Sequence, residues 1–323
     1  MLRNVYILSA GRSGSTLLSL ILGGHPRAIS VGELYQLPKN LALNTTCACG
    51  QPIRDCSFWN RVVANLDRHL HLQILKNPYS LDLGFIGAVN LVDRHHQTAA
   101  YRVAWQIRHE LIRLHLATGL PLPDSIVRRF AVGIDNTLAT YGAIRNVSGA
   151  DYIIDSSKGY LRGISIYQRD PSSTRLVLLA RDGRARLYSG LKTGHNRRQT
   201  VRGWRTYYDH ALPLLEKHVA PSDIIHVRYE QLARNPQAET HRLCDFLGLP
   251  FDPLMLDFRH KTSHVANGND MRLVESDSIS LDERWRSSLS ADDLAFFEKH
   301  AGPVNRRLGY NSASRSVSPA TAD

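Results

Sequence analysis

The stretch SAGRSGSTLL, residues 9–18, constrains the fold more than any other part of the sequence. It follows the apolar run NVYIL and precedes the helical run LLSLIL, so we expect it to join a first strand to a first helix of an α/β protein. A loop in this position directs backbone N–H groups and the positive end of a helix towards a bound anion. Gly11 and Gly14 would let the backbone approach that anion closely.

The side chains of this loop also suit an anion. Ser13, Ser15 and Thr16 offer hydroxyl donors, and Arg12 offers a permanent positive charge. The loop of nucleoside triphosphatases, G-x-x-x-x-G-K-[ST], has a lysine that reaches the terminal phosphates. Aligned on Gly14, this chain has Ser15 in the lysine position. The stretch therefore predicts an anion cradle that is poorly suited to the chemistry of ATP and Mg²⁺.

The rest of the chain alternates short apolar runs with helical patterns, and no internal repeat interrupts the alternation. The predicted strands are NVYILS, RAISV, DYIIDSS, TRLVLLAR and SDIIHVRYE. Strands separated by helices form a parallel sheet, which binds ligands at the carboxyl ends of its strands. We expect one domain over residues 1–312, a helical cap inserted at about residues 58–146, and a disordered tail at residues 313–323.

A second candidate anion site lies in ARDGRARLYSGL, which follows a buried strand. Arg181 ends that strand, and Ser189 follows eight residues later, about two turns into the next helix. The pair could clamp one phosphate, and the alternative is a solvated basic loop. The composition is compatible with both the phosphate clamp and the solvated loop. The net charge of +11 favours an anionic partner but does not identify it.

Together, GRSGSTLL and ARDGRARLYS resemble the two cofactor motifs of the sulfotransferases that use 3′-phosphoadenosine 5′-phosphosulfate (PAPS). The runs HVRYEQL, FLGLPFD, RWRSSLSADD and RRLGY are also similar to this family, so the resemblance extends from residue 4 to about residue 310. It implies a P-loop-like three-layer fold with a central parallel sheet. It also implies sulfuryl transfer from PAPS to a hydroxyl acceptor, which is the enzyme class EC 2.8.2, without a metal.

The resemblance implies catalytic roles for three residues. Glu33 stands in a GE pair downstream of an HP pair, as the general base does in protein-tyrosine and related sulfotransferases. Lys158, after the strand DYIIDSS, would form a clamp with Arg12 on the sulfuryl and bridging oxygens. The plainer alternatives are a glutamate that begins a helix and a lysine on the surface.

The cofactor residues implied by the same resemblance are Gly11, Arg12, Ser13, Gly14, Ser15, Thr16, Arg181, Ser189, Arg272 and Tyr229. Arg272 follows a Gly-Asn turn in HVANGNDMR and would reach the 3′-phosphate. Tyr229 lies either near the adenine or simply in the core at a strand end. His264, close to the Arg272 segment, could touch the substrate.

Three of the four cysteines, Cys47, Cys49 and Cys56, lie within the segment CACGQPIRDCSFW, and Cys244 is distant in the sequence. We favour free thiols, because a reducing cytosol disfavours a disulfide. A disulfide and a metal site remain open, and a tetrahedral metal site would need a distant fourth ligand such as Cys244 or a histidine. We predict no metal among the catalytic residues.

Two other functions compete with sulfuryl transfer. A P-loop kinase or nucleotidase would need a lysine after Gly14, and a nucleic-acid or polyanion-binding module would need an aromatic-interleaved basic face or a known motif. Neither feature is found, so we expect no nucleic-acid partner. The acceptor stays open among a small-molecule, lipid or glycan hydroxyl and a peptide tyrosine, and the oligomeric state is not predicted.

The sequence contains no apolar run of about 20 residues that could span a membrane. Its first residues, MLRNVYILSAG, read as a strand and a turn rather than as a signal peptide. We therefore expect a cytoplasmic protein.

Overall fold

A computed structural model describes residues 2–83, 99–258, 262–268, 270–273 and 279–311. Within these residues five parallel strands form one sheet in the order β2-β3-β1-β4-β5. The strands are β1 (Arg3–Leu8), β2 (Ala28–Gly32), β3 (Tyr152–Lys158), β4 (Thr174–Ala180) and β5 (Ile224–Arg228). Each of them falls on a predicted run, and the α/β fold with a central parallel sheet is confirmed.

Helices connect the strands and cover the sheet. The helices of the described residues are α1 (Ser15–Gly24), α2 (Leu37–Leu43), α3 (Ser57–Leu70), α4 (Ala99–Thr118), α5 (Asp124–Ser148), α6 (Tyr160–Arg169), α7 (Gly183–Lys192), α8 (Arg197–His218), α9 (Tyr229–Arg234), α10 (Pro236–Leu247), α11 (Trp285–Ser288) and α12 (Ala291–Arg307). The long helix α8 packs on α7 and α12, so it supports the segment that carries the second anion motif.

Successive side chains of β1 point to opposite faces of the sheet, and each face has its own apolar core. Tyr6 and Leu8 belong to the core that includes the helices of the predicted cap, whereas Val5 and Ile7 belong to the core on the side of α1 and α10. All ten residues of α1 are buried. Two cores on one sheet make the three-layer arrangement of the P-loop-like fold.

The predicted cap corresponds to α3, α4 and α5, which lie between β2 and β3 in the sequence. Helices α3 and α5 pack against each other, and their buried side chains join the core beneath Tyr6 and Leu8. The inserted region therefore continues one helical layer of the fold. Residues 84–98 of the region and the predicted tail at 313–323 lie outside the described residues.

Parallel pairing aligns the carboxyl ends of β1 and β3, because Leu8 is in register with Lys158. The loop after β1 and the residues after β3 and β4 consequently meet at one edge of the sheet. None of the described helices is both long enough and apolar enough to cross a lipid bilayer.

Candidate active site

A cleft of about 420 Å³ opens at the carboxyl edge of the sheet. Its walls come from the loop after β1, the ends of β3 and β4, helix α7 and the segment before α11. The lining residues are Arg12, Gly14, Ser15, Thr16, Leu17, Glu33, Lys158, Arg181, Ser189, Tyr229, Gly268, Met271 and Ser280. Nine of these thirteen belong to the predicted catalytic and cofactor residues, so packing brings together groups that the sequence spreads over more than 200 positions.

The loop after β1 approaches the cleft with its backbone. Gly14 has a φ of 88°, a left-handed conformation that favours glycine, and it precedes the first residue of α1. The ring of Tyr229 lies directly against it, since a Cβ added to Gly14 would come within 2.4 Å of Cδ2 of that ring. The first turn of α1, whose N–H groups have no acceptor within the helix, begins directly after Gly14 and lines the cleft through Ser15 and Thr16.

Replacing Gly14 with alanine should unfold the loop locally and weaken anion binding. The new methyl group would overlap Tyr229 and would need a strained φ, at a combined cost of about 2–4 kcal/mol in the free energy of unfolding. Gly11→Ala is the matched control, because a Cβ there meets nothing within 4 Å. Urea denaturation of both variants tests this, and equal stabilities would contradict the packing of Tyr229 on the loop.

The two candidate anion sites of the sequence, the loop after β1 and the segment that contains Arg181 and Ser189, meet in the cleft. Nη1 of Arg12 lies 3.5 Å from Oγ of Ser189, although the two residues are 177 positions apart, and Nη1 of Arg181 lies 3.4 Å from the backbone oxygen of Arg12. Arg12 forms no ion pair within the described residues. A third guanidinium, that of Arg186, is near enough that burial and then the charge of Arg12 lower its pKa. The arrangement favours a multiply charged anion.

Arg181 is held in place from two sides. Its guanidinium stacks 4.5 Å above the centre of the Tyr229 ring and lies 3.7 Å from a carboxylate oxygen of Asp282. Hydrogen bonds from Arg284, with a smaller contribution from Arg181, lower the pKa of Asp282 to about 2. The carboxylate is therefore ionised at neutral pH, and it fixes Arg181 at the rim of the cleft.

Glu33 and Lys158, which also line the cleft, form an ion pair with each other. The other carboxylate oxygen of Glu33 accepts a hydrogen bond of 2.7 Å from Nε2 of Gln36, which is one turn further along the chain. Only 13% of the Glu33 side chain and 23% of the Lys158 side chain are exposed. The pair thus places one base and one cation next to the loop that follows β1.

Two of the positively charged residues that line the cleft have a left-handed backbone, with φ of 65° at Arg12 and 70° at Lys158. The carbonyl of Lys158 accepts hydrogen bonds from the Tyr207 hydroxyl at 2.6 Å and from the Ser9 N–H at 3.3 Å. Such conformations cost energy in residues other than glycine and persist where the surroundings impose them. The fold therefore constrains the direction of both cations.

Three predicted site residues do not present side chains to the cleft. Ser13 is fully buried in the interior, which leaves its backbone N–H as the group that could serve an anion. Gly11 is exposed beside the cleft and does not line it. Arg272 is not among the lining residues, and its guanidinium donates a hydrogen bond of 2.9 Å to the backbone oxygen of Thr46.

The sequence reasoning missed several members of the site. Gly268, Met271 and Ser280 line the cleft, and Gln36 holds the Glu33 carboxylate. Gly268 and Met271 lie in the segment HVANGNDMR, from which the sequence reasoning selected Arg272 and His264. Ser280 is an isolated serine in a polar stretch, and no local pattern distinguishes it.

The fold and the cleft define an α/β protein that gathers arginine and lysine side chains at the carboxyl edge of its parallel sheet and lacks the lysine of the nucleoside triphosphatase loop. A sequence profile described as the sulfotransferase family matches residues 121–253. The sulfotransferase domain of the Synechococcus PCC 7002 olefin synthase is similar in structure, with a TM-score of 0.56 over 96% of this chain and 95% of that chain at 20% identity.

Curated relatives match shorter parts of the chain. Carbohydrate sulfotransferase 1 of Mus musculus is 34% identical over 100 residues, which are 27% of this chain. Protein-tyrosine sulfotransferase A of Caenorhabditis elegans is 27% identical over 158 residues, 43% of this chain and 40% of its own length. The match spans about a fifth, 22%, of the first of these relatives. These findings confirm the resemblance to the sulfotransferase family.

Proposed function

We propose that this chain is a sulfotransferase that moves a sulfuryl group from PAPS to a hydroxyl acceptor. The observation that carries the proposal is the meeting of the two motifs, in which the guanidinium of Arg12 reaches the hydroxyl of Ser189 at 3.5 Å within one cleft. A donor with phosphate groups at both its 3′ and 5′ positions needs two anion sites at a fixed separation. We assign one site to the loop after β1 and the other to Arg181, which precedes α7, together with Ser189 on that helix.

The cleft fits a nucleotide in size and charge. Its volume of about 420 Å³ lies within the ordinary range for small-ligand pockets. Ser15, Thr16 and the first turn of α1 suit the 5′-phosphosulfate, while Arg181 and Ser189 suit the 3′-phosphate. The face of Tyr229 is occupied by Gly14 and Arg181, which favours a supporting role for this ring over adenine stacking.

When bound, PAPS supplies an activated sulfuryl group whose sulfur can be attacked in line. Glu33 accepts the proton of the acceptor hydroxyl as the acceptor oxygen bonds to sulfur. Arg12 and Lys158 stabilise the negative charge that develops on the bridging oxygen as its bond to sulfur breaks. The ion pair with Lys158 and the hydrogen bond from Gln36 hold the Glu33 carboxylate in position before the substrates arrive.

The transfer itself is proposed to need no metal. Among the described residues that line the cleft, Glu33 is the one carboxylate, and it is paired with Lys158. Mg²⁺ in phosphoryl-transfer sites is held by carboxylates together with substrate phosphates. Fixed cations take over the charge stabilisation here, since a sulfuryl group carries less negative charge than a phosphoryl group.

The acceptor is proposed to be a hydroxyl compound. The names of the relatives point to carbohydrates and to protein tyrosines. Glu33 suits either, because both acceptors present an O–H group whose proton must be removed. A panel with a carbohydrate, a tyrosine peptide and a lipid alcohol, each incubated with radiolabelled PAPS, separates these classes.

Calorimetric titration with 3′-phosphoadenosine 5′-phosphate (PAP) tests the donor site. We expect saturable binding of one PAP per chain without added divalent ions, and little change when Mg²⁺ is supplied. ATP, which lacks the 3′-phosphate, is the matched control and should bind at least tenfold more weakly, since Arg181 and Ser189 would lose their ligand. Mg²⁺-dependent ATP binding without PAP binding would overturn the proposal in favour of a kinase.

A further inference from the structure

A cluster of three cysteines and one histidine lies outside the cleft. The side chains are those of Cys47, Cys49, Cys56 and His264, and their possible ligand atoms all lie within 4.8 Å of one another. In the described part of the chain this is the one group of three or more such side chains gathered closely enough to hold a metal ion. None of the four lines the cleft, so the proposed sulfuryl transfer does not account for them.

The distances within the cluster suit a tetrahedral ion. Sγ of Cys49 lies 3.6 Å from Sγ of Cys56, and Sγ of Cys56 lies 3.4 Å from Nδ1 of His264. A zinc ion with bonds of about 2.3 Å to sulfur separates neighbouring sulfurs by about 3.8 Å in a regular tetrahedron. The four atoms therefore need only small adjustments to surround one ion.

The backbone around the cysteines suits thiolates. Residues 47–50 form a tight turn in which the Gly50 N–H donates to the carbonyl of Cys47 at 2.9 Å, and Gly50 has a φ of 85°. Cys56 immediately precedes α3, so the positive end of this helix faces its sulfur.

His264 is fixed as a ligand would be. Its ring stacks on Phe58 with 4.7 Å between ring centres, and its backbone carbonyl accepts a hydrogen bond of 2.8 Å from the indole of Trp59. These contacts aim Nδ1 at Cys56, although the two residues are 208 positions apart. The positive side chain of Arg61 is close enough to act on His264 electrostatically, and it offsets the net negative charge of three thiolates around a divalent ion.

We propose that Cys47, Cys49, Cys56 and His264 bind one structural zinc ion. Three sulfur ligands and one imidazole nitrogen are a set that zinc takes in structural sites, and four protein ligands leave no open position for catalysis. Cys47 and Cys56 are 0% and 1% exposed, so the ion would be shielded from water on that side. Cys244 is not part of the site, since its sulfur packs against Met255 at 3.6 Å.

The proposed ion would link the loop of residues 44–56 to the segment that contains His264. The segment of His264 pairs with the cysteine loop through the Ala48 N–H and the Val265 carbonyl at 3.1 Å. Three residues beyond His264, the Asn267 carbonyl accepts a hydrogen bond of 3.4 Å from the N–H of Glu33. Zinc would thus order the segment against which the base is positioned, while its binding does not depend on the proposed function.

Metal analysis of the purified full-length chain tests the zinc site. We expect about one zinc per chain by inductively coupled plasma mass spectrometry, after growth with zinc and purification without chelators. Cobalt exchanged into the wild-type chain should show the sulfur-to-cobalt charge-transfer band and the strong visible bands of tetrahedral thiolate coordination. This spectrum needs no variant, so it is independent of any folding defect.

Variants then assign the ligands. Cys49→Ser should reduce the zinc content at least tenfold, whereas Cys244→Ser, which removes the one cysteine outside the cluster, should keep it. His264→Cys should also keep the metal, because four ligands remain.

Three results would overturn the proposal. They are a metal-free chain with four thiols that react with Ellman's reagent, a metal-free chain with a disulfide between cluster cysteines, and full zinc content in Cys49→Ser. PAP titration of the same samples reports separately on the donor site.

Discussion

Replacing Arg181 with alanine is expected to weaken PAP binding by roughly 30- to 1,000-fold. The guanidinium is held by Asp282 and Tyr229, and it lines the same cleft as Ser189. Charge-assisted contacts to a phosphate that are lost without replacement cost about 2–4 kcal/mol in binding free energy. Titration calorimetry measures this loss directly, and Ser189→Ala should give a smaller loss in the same direction.

Arg284→Ala is the matched control for Arg181→Ala. Both arginines pair with Asp282, but Arg284 is exposed and does not line the cleft. PAP affinity should therefore change less than about threefold in Arg284→Ala, since removing a surface ion pair has a small effect. Equal losses of PAP affinity in the two variants would show that the loss comes from disturbing Asp282, which both arginines contact, and not from removing the Arg181 guanidinium. Unchanged affinity in Arg181→Ala would remove this arginine from the donor site.

Replacing Glu33 with glutamine is expected to lower the rate of sulfuryl transfer by about 10²- to 10⁴-fold while leaving PAP affinity almost unchanged. The amide keeps the size of the carboxylate and can still bond to Gln36, but it cannot accept the acceptor proton. Transfer of radiolabelled sulfate to the acceptor and calorimetric titration of PAP measure the two effects separately. The separation distinguishes a base from a residue that binds the donor.

Glu239→Gln is the control for Glu33→Gln, because Glu239 is also a largely buried, ion-paired carboxylate, but it lies on α10 away from the cleft. It should retain full transfer activity. Lys158→Met adds a second comparison, because it leaves the Glu33 carboxylate without its cation. We expect Lys158→Met to lower activity as well, by removing charge stabilisation at the bridging oxygen. Full activity in Glu33→Gln would exclude Glu33 as the base.

The strands and the two anion motifs were predictable from the sequence because both depend on local patterns. Buried parallel strands read as continuous apolar runs, and the glycines and hydroxyls of the loop after β1 follow such a run directly. The boundaries moved by one or two residues, as at β2, which includes Gly32 and excludes Arg27. Helix α8, by contrast, was not predicted from the sequence. It contains Pro213 in its interior, where a proline ordinarily interrupts a helix.

The positions of Arg272 and His264 could not be read from their neighbours in the sequence. Both follow polar stretches with no regular period, and both are placed by long-range contacts with the loop of residues 44–56. Arg272 was predicted to reach a phosphate and donates to Thr46. His264 was expected to be able to touch the substrate, which stays a prediction; its ring lies in the cysteine cluster, where it is the histidine placed to be a fourth ligand.

The sequence by itself determined the parallel α/β sheet, the loops rich in glycine and hydroxyl groups at its strand ends and the residue types that the proposed sulfuryl transfer would use. Each of these depends on periodicity, turn chemistry or spacing over about ten residues. Only the tertiary structure decided which distant groups share a site: Arg12 with Ser189, Glu33 with Lys158, and His264 with the cysteines. The physical reason is that such contacts follow from the pairing of distant strands, from the packing of helices on the sheet and from hydrogen bonds between loops, which no local pattern encodes.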